Sequence, residues 1–366
     1  MKLLLILLLA LLVVWCLSAG AQAYYEEEIS ASDPLRAEQA GELDAYVKRM
    51  SSDSTRLDRL FRPDYSSPSA YRSSTARLRR RFAEAIGYPP PGVRSAEKSQ
   101  FTRIGEDGIG TYYRARIPVV EGVHAEGILI VPKGLHGRAP LVIAMHGGGG
   151  SPEIALFHGG ANYHDMVRGG VKERYVVFAP QHLFSAPGYP PDIRAQMDAR
   201  LRLVGTTIAA VEIAKITRSI DVLSKRPEVD SSRIGMVGLS YGGFYTLMTT
   251  AIDTRIKAAV SSCFYGWQEE CYSRNELSVS VDFRYMDRFS IFRDPILVAL
   301  ICPRALEIQA GDHDDLVHLD AGKRIAPQAA APYMRLGIPD SFRFAVFKGS
   351  HEFNDTSAWE FLRNRL

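Results

Sequence analysis

The sequence predicts an α/β fold, with a mostly parallel sheet flanked by helices and a small N-terminal helical extension. Three observations support this prediction. After residue 101, short β-rich runs alternate with longer helical ones, as in parallel strands joined by crossover helices. The composition, 46% hydrophobic and 23% charged, is that of an ordinary globular protein. A proline-rich stretch at residues 88–92 separates this alternating part from a more polar, helical part.

The first 23 residues are typical of a secretory signal. Lys2 precedes 15 apolar residues, and the small residues that follow end in Ala21-Gln22-Ala23. Cleavage before Tyr24 would make the mature chain secreted or periplasmic, without stable insertion in a membrane. A retained membrane anchor is the alternative, but the apolar run is shorter than the ~20 residues that span a bilayer.

Residues 24–100 predict the helical extension. Ser32-Asp33-Pro34 supplies an N-cap and a proline for the first helical turn. The apolar stripe of this helix is expected to consist of Leu35, Leu43, Tyr46 and Val47. A second helix near residues 75–86 should end at Gly87. Residues 101–366 are expected to form one main domain.

The strands of the main domain are expected from its apolar runs. Residues 112–119 and 122–131 predict an opening antiparallel pair. Buried parallel strands are expected at 141–145, 175–179, 234–237, 256–260 and 305–309, with a last strand at 342–347. Crossover helices are expected at 206–223 and 243–252. Because α/β sheets bind ligands at the carboxyl ends of their strands, the loops after these runs are the candidate functional segments.

The loop after residues 234–237 carries Gly238-Leu239-Ser240-Tyr241-Gly242, between a predicted strand and a predicted helix. The pattern G-x-S-x-G in that context predicts a nucleophile elbow. A sharp turn there would expose Ser240 and bring the strand and helix backbones close together, which explains the two glycines. Ser240 is therefore the candidate nucleophile.

A serine hydroxyl needs a base and an orienting acid, and after such an elbow they follow in the order acid, histidine. The acid is expected after residues 305–309, where Asp312, Asp314 and Asp315 compete. Asp314 is preferred because its place in the loop puts it at the exit of the strand, whereas the other two suit turn-forming and solvated positions. His351 follows the last strand and is the candidate base.

The tetrahedral intermediate of acyl transfer carries negative charge, which preorganised backbone N–H groups can stabilise. One expected donor is Tyr241, directly after the nucleophile. The other is expected from Gly147 or Gly148, in the glycine run 146–150 that follows the strand 141–145. This run is not a phosphate loop, because no Gly-Lys-Ser or Gly-Lys-Thr follows it.

No metal or cofactor is signalled, because the sequence contains no Cys-x-x-Cys, His-Glu-x-x-His or calcium-loop motif. With 44 Lys and Arg against 41 Asp and Glu and no long block of one sign, nucleic acid is not an expected partner. Whether Cys263 and Cys271 form a disulfide or remain buried thiols is left open. The aromatic residues after 256–260 either wall a pocket or pack the core: Phe264, Tyr265, Trp267, Phe283 and Tyr285.

Taken together, the motifs at 146–150, 238–242, 311–317 and 349–353 resemble the α/β-hydrolase superfamily, over about residues 101–366. The segments 226–230, 253–260 and 302–305 are similar to the branch that contains dienelactone hydrolases, acetyl xylan esterases and prolyl oligopeptidases. Dienelactone hydrolases proper have a cysteine nucleophile. Ser240 departs from that pattern, so the resemblance implies an esterase-like member.

The expected function is that of a secreted serine esterase, a carboxylic-ester hydrolase with a Ser-His-Asp catalytic triad that works through an acyl-enzyme. Residues 101–366 would be its catalytic domain, with a small-molecule or saccharide ester, of a short acyl group, as substrate. A serine peptidase of the prolyl oligopeptidase type is the first alternative, but such peptidases also carry a large propeller. A non-catalytic binding member of the fold is the second alternative, since fold alone does not determine activity.

Overall fold

The computed structural model describes residues 25–157, 160, 162–184, 186, 188–273 and 280–366. The predicted signal, residues 1–23, lies outside the described residues. The chain divides into two compact units between residues 53 and 54. Within the described ranges, no helix has both the length and the apolar character needed to cross a membrane.

The described part of the first unit contains a 3-10 turn, Ile29–Ser32, and helix α1, Asp33–Ser52. Pro34 lies in the first turn of α1, as predicted, but the Ser32 side chain makes no capping hydrogen bond. The predicted apolar stripe is solvent-exposed, since each of its four residues has at least half of its surface accessible. Helix α1 has no buried residue.

The second unit contains the sheet and the remaining helices. Its described strands are β1 (Gln100–Glu106), β2 (Gly110–Val120), β3 (Val123–Pro132), β4 (Ala139–Met145), β5 (Val176–Pro180), β6 (Val229–Leu239), β7 (Ile256–Ser262), β8 (Ala305–Gly311) and β9 (Phe342–Phe347). Its described helices are α2 (Thr55–Leu60), α3 (Pro68–Ala85), α4 (Pro152–Leu156), α5 (Arg168–Lys172), α6 (Pro191–Leu203), α7 (Ile208–Leu223), α8 (Tyr241–Ile252), α9 (Trp267–Ser273), α10 (Asp294–Ile301), α11 (Leu319–Arg335) and α12 (Asp355–Arg363).

The strands form one sheet in the order β1-β2-β3-β5-β4-β6-β7-β8-β9. The first three strands and the β3–β5 pair are antiparallel, whereas the pairings from β5 through β4 to β9 are parallel. The predicted opening pair and the six later strands are confirmed. Strand β1 was not predicted, and its mostly exposed residues explain why no apolar run marks it.

Strand β4 lies between β5 and β6 in the sheet. The connection after β4 leads to β5 on one side, and the connection after β6 leads to β7 on the other, so a crevice opens between the ends of β4 and β6. Met145 pairs with Gly238 at the last position of this parallel ladder. Ligands bind in the crevice that such a switch point creates. The sheet therefore brings the glycine run next to the G-x-S-x-G turn.

The sheet is covered on both faces, as the uninterrupted apolar runs predict. In β4, Leu141, Ile143 and Met145 belong to one buried cluster, and Val142 and Ala144 to the other. Every residue of β4 is buried. This double burial fixes the register of the strands that carry the candidate site.

Helix α3 packs on the same unit as the sheet, although it lies within the predicted extension. The Tyr71 hydroxyl donates to the carbonyl oxygen of Ala299 at 2.9 Å. Phe82 is fully buried and contacts the ring of Phe292, with the centroids 5.2 Å apart. The helix begins at Pro68, one and a half to two turns earlier than the sequence pattern indicated, because Ser67 caps it through its side chain.

Candidate active site

Ser240 occupies the turn between β6 and α8. Its backbone angles are φ 59° and ψ −118°, a conformation that costs free energy for a residue other than glycine. A Cβ atom on Gly238 would lie 2.3 Å from the carbonyl oxygen of Gly242, and one on Gly242 would lie 2.2 Å from that of Met145. Only glycine fits at these two positions, so the G-x-S-x-G spacing has the steric cause that the sequence indicated.

Asp314 and His351 lie in the loops after β8 and β9, and the structure brings them together. Their atoms Oδ2 and Nδ1 are 2.8 Å apart, and the Asp314 side chain is fully buried. Burial alone would raise the pKa of Asp314. The hydrogen bonds from His351 and from the N–H groups of Val317 and Leu316 outweigh that effect and lower the pKa below its ordinary value.

The two neighbouring carboxylates have different surroundings. Asp312 is exposed, and its Oδ1 accepts a hydrogen bond from the Gly349 N–H at 3.0 Å. This contact ties the loop after β8 to the loop after β9. Asp315 is also exposed. Of the three candidate acids, Asp314 is the one that contacts His351.

The loop that carries His351 is held on both sides. The N–H of Phe353 donates to the carbonyl oxygen of Asn162 at 2.8 Å, and Glu352 lies 2.8 Å from the ring of His164. A Cβ atom on Gly311 would lie 2.3 Å from the carbonyl oxygen of Ser350. The close packing of these loops therefore positions the imidazole.

A cavity of about 330 Å³ opens beside Ser240. The described residues that line it are Gly147, Gly148, Asn162, Tyr163, Phe184, Ser240, Tyr241, Trp267, Ser280, Phe283, Leu316 and His351. The second ring nitrogen of His351, Nε2, is buried and has no hydrogen-bond partner among the described residues. Ser240 and His351 therefore line one cavity.

The predicted oxyanion donors also lie at this cavity, with one unexpected contact. The Gly147 N–H donates to the Tyr163 hydroxyl oxygen at 2.8 Å. Tyr241 is the first residue of α8, so its N–H has no acceptor within the helix. The sequence did not indicate Tyr163, because no motif surrounds it and it contacts the glycine run only in the folded chain.

Two buried histidines hold the glycine run. The rings of His146 and His182 stack with their centroids 3.9 Å apart. His182 Nε2 lies 2.7 Å from the carbonyl oxygen of His146, and His146 Nδ1 lies 2.9 Å from that of Gly147. A ring nitrogen that faces a carbonyl oxygen donates its proton, so these contacts fix two peptide groups. The N–H groups opposite those carbonyls are those of Gly147 and Gly148.

Both histidines are neutral. Burial lowers the pKa of His182 to about 3, and burial together with the neighbouring ring lowers the pKa of His146 well below its ordinary value. A neutral imidazole has one N–H to donate, and here each donates it to the backbone. The glycine run is therefore held by uncharged groups next to a cavity in which negative charge is expected to develop.

A buried ion pair lies behind Tyr241. Arg194, from α6, is 2.6 Å from both the Asp282 carboxylate and the Tyr241 hydroxyl. Asp282 also accepts hydrogen bonds from the hydroxyls of Tyr245 and Ser280, each at 2.6 Å. Burial would raise the pKa of Asp282, but Arg194 and the hydroxyls of Ser280 and Tyr241 lower it. The carboxylate stays charged, and its lone pairs are satisfied.

The predicted aromatic cluster divides between the two roles that the sequence left open. Trp267 and Phe283 line the cavity. Phe264, Tyr265 and Tyr285 do not line it and are buried in the main hydrophobic cluster, to which Phe283 also belongs. The pocket wall and the core thus use neighbouring residues of one segment.

The described cysteines are buried, and Cys263 and Cys271 are not joined by a disulfide. Potential metal-ligand atoms of Cys263, Asp314 and His351 lie within 4.8 Å of one another. Burial, aided by the Asp314 charge, raises the pKa of Cys263 to about 12. A protonated thiol is a poor metal ligand, and the other two side chains are already paired. This group is therefore ill suited to hold a metal ion.

Part of the chain is similar to a known family of hydrolases. Residues 126–296 match the model of the dienelactone hydrolase family. A protein of Bacillus subtilis (strain 168), YtaP, provisionally named a hydrolase, is 26% identical over 150 residues. That alignment covers 41% of this chain and spans 50% of the relative's length. The family match supports a hydrolase.

Solved structures share the fold. One is a Bacteroides fragilis NCTC 9343 protein, provisionally named an acetyl xylan esterase, with a TM-score of 0.64 and 16% sequence identity. The superposition covers 83% of this chain and 81% of that protein. A glucuronoyl esterase from Solibacter usitatus has a TM-score of 0.58 at 16% identity, with 80% and 93% coverage. At this level of identity the likeness concerns the fold, which is the α/β-hydrolase fold.

The buried histidines make stability depend on pH. A folded-state pKa near 3 for His182, against 6.5 in the unfolded chain, means that the unfolded state binds more protons between these values. We expect the free energy of unfolding to fall as pH drops below 6.5, by up to about 1.4 kcal/mol per pH unit for each histidine. His182→Gln should reduce this slope in denaturant titrations at several pH values.

The exposed His136 provides the matched control, because His136→Gln should leave the slope unchanged. An identical pH dependence in the wild type and in His182→Gln would contradict the assignment of a neutral, buried His182.

Proposed function

We propose that the chain, whose residues 126–296 match the dienelactone hydrolase family and whose fold is that of solved esterases, is a serine carboxylic-ester hydrolase. The observation that carries this proposal is the arrangement at the cavity. One nitrogen of His351 is bonded to the buried Asp314, the other has no partner among the described residues, and His351 and Ser240 line the same cavity. A general base needs that combination of an orienting acid and a free nitrogen.

In the proposed mechanism, Ser240 Oγ attacks the ester carbonyl carbon while His351 Nε2 takes the hydroxyl proton. Asp314 accepts the hydrogen bond from Nδ1–H, which selects the tautomer with a free Nε2 and stabilises the imidazolium that forms. His351 then protonates the departing alkoxide, and an acyl-enzyme on Ser240 remains. Water, deprotonated by the same imidazole, releases the acid and restores the serine.

The oxyanion is proposed to be stabilised by the N–H groups of Tyr241 and Gly148. The Gly147 N–H donates to Tyr163 instead, which leaves the phenol proton as a donor to the cavity. Burial raises the pKa of Tyr163, so the phenol keeps its proton. We assign Tyr163 as a third donor, since its hydroxyl accepts from the glycine run and can donate to the developing charge.

Export is part of the proposal. The N-terminal sequence, with Lys2, an apolar run and Ala21-Gln22-Ala23, supports a cleaved signal and a secreted or periplasmic enzyme. Esterase names among the similar structures support an ester substrate.

The choice of acid gives the first test of this mechanism. Asp314→Asn should lower kcat on a reactive ester by roughly four orders of magnitude, because an amide stabilises neither the required tautomer nor the imidazolium. Asp312→Asn and Asp315→Asn are the matched controls and should lose far less, since their carboxylates do not contact His351. If Asp315→Asn were the inactive variant, the proposed triad would be wrong.

The phenol of Tyr163 gives the second test. Tyr163→Phe keeps the ring and removes the proton, so kcat should fall by about 10²–10³, as for other oxyanion donors. KM should change little, because the contact strengthens as charge develops. Tyr88→Phe, which removes a hydroxyl bonded to Thr217, is the control. A kcat of Tyr163→Phe within twofold of the wild type would remove Tyr163 from the oxyanion site.

A further inference from the structure

The cavity beside Ser240 has an apolar wall of four rings and one aliphatic side chain: Phe184, Tyr241, Trp267, Phe283 and Leu316. The rings form a continuous series. Phe184 contacts Tyr241 edge to face at 5.0 Å between centroids, Tyr241 contacts Phe283 at 5.9 Å, and Phe283 contacts Trp267 at 5.6 Å. The wall is therefore one packed surface and not a set of isolated side chains.

The wall reaches the reacting atoms. A Cβ atom built on Gly147 would lie 3.5 Å from Ser240 Cβ, and one on Gly148 would lie 3.7 Å from both Phe184 and Tyr241. The expected oxyanion position is thus next to aromatic carbon. A group attached to the scissile ester would contact that surface as soon as the carbonyl is in place.

The polar atoms nearest the wall point elsewhere. The Tyr241 hydroxyl is bonded to Arg194, and Ser280 donates its hydroxyl proton to Asp282. The buried ion pair thereby draws these hydroxyls away, so that Tyr241 presents ring carbon to the cavity. No lysine, arginine, aspartate or glutamate occurs among the described lining residues.

We propose that this cavity binds an aromatic or extended aliphatic group of the substrate, directly attached to the ester that Ser240 attacks. The inference rests on the proposed esterase function and deepens it. A saccharide carries hydroxyl groups around the edge of its ring, and burying them against aromatic carbon without partners costs free energy. An acetyl group would leave most of a 330 Å³ cavity without contacts.

Two series of esters test the inference with the wild-type protein, and a pH-stat measures the rate at which each ester is hydrolysed. The first varies the acid as ethyl acetate, butyrate, hexanoate and phenylpropanoate. The second varies the alcohol as methyl, butyl and benzyl acetate, and an acetylated xylose is included for comparison. In at least one of the two series, kcat/KM should rise about fourfold for each methylene that becomes buried. The kcat/KM of acetylated xylose should be lower than that of the best apolar ester.

Two variants connect the preference to the wall. Phe184→Ala and Trp267→Ala remove half-buried rings, and the ratio of kcat/KM between the largest and the smallest ester should fall roughly tenfold in each. Phe342→Ala is the control, because Phe342 is also half-buried but stacks on Tyr333, outside the described cavity lining. That variant should keep the wild-type ratio.

The outcomes separate the two proposals. If both series are flat or falling, or if acetylated xylose is the best substrate, the apolar-group inference is wrong while the esterase function stands. If the folded protein hydrolyses none of the esters, the proposed function fails and the inference fails with it. Equal loss of the ratio in Phe342→Ala would contradict the role assigned to the wall.

Discussion

The close approach of backbone around Gly242 is the constraint on which the rest of the candidate site depends. A Cβ atom at that position would meet the carbonyl oxygens of Met145 and His146, at 2.2 and 2.7 Å. The first turn of α8 therefore packs directly on the end of β4. This contact sets Ser240 beside the glycine run, and the positive φ of Ser240 is the conformational cost of that placement.

Buried polar groups support this arrangement from two sides. The His146–His182 pair orients the peptides of the glycine run, and the Arg194–Asp282 pair holds the Tyr241 side chain. Each group is buried, and its hydrogen bonds reduce the desolvation cost of burying it. A cavity whose walls are fixed in this way presents the proposed donors before substrate arrives, which is what stabilisation of a transition state requires.

Local pattern was enough to predict the sheet strands β2 to β9 and the turn at Ser240, because apolar runs and glycine spacing are features of adjacent residues. The contact of Asp314 with His351 could be predicted because the two residues follow strands β8 and β9, whose carboxyl ends lie at the same edge of the sheet. Tyr163 and Arg194 could not be predicted, since their partners lie 16 and 47 residues away and no local pattern links them. The apolar spacing in α1 correctly predicted a helix, but the helix has no buried residue. Such spacing indicates helical structure without indicating that the apolar side chains are buried.

The central claim is that Ser240 is the nucleophile, and covalent labelling tests it most directly. A fluorophosphonate probe should modify the folded wild-type protein at Ser240, as identified by mass spectrometry of its peptides, because the probe captures an activated serine. Ser240→Ala should show no labelling, while Ser350→Ala, with its exposed serine on the loop of His351, should label like the wild type. Undiminished labelling of folded Ser240→Ala, or modification at another residue, would contradict the account.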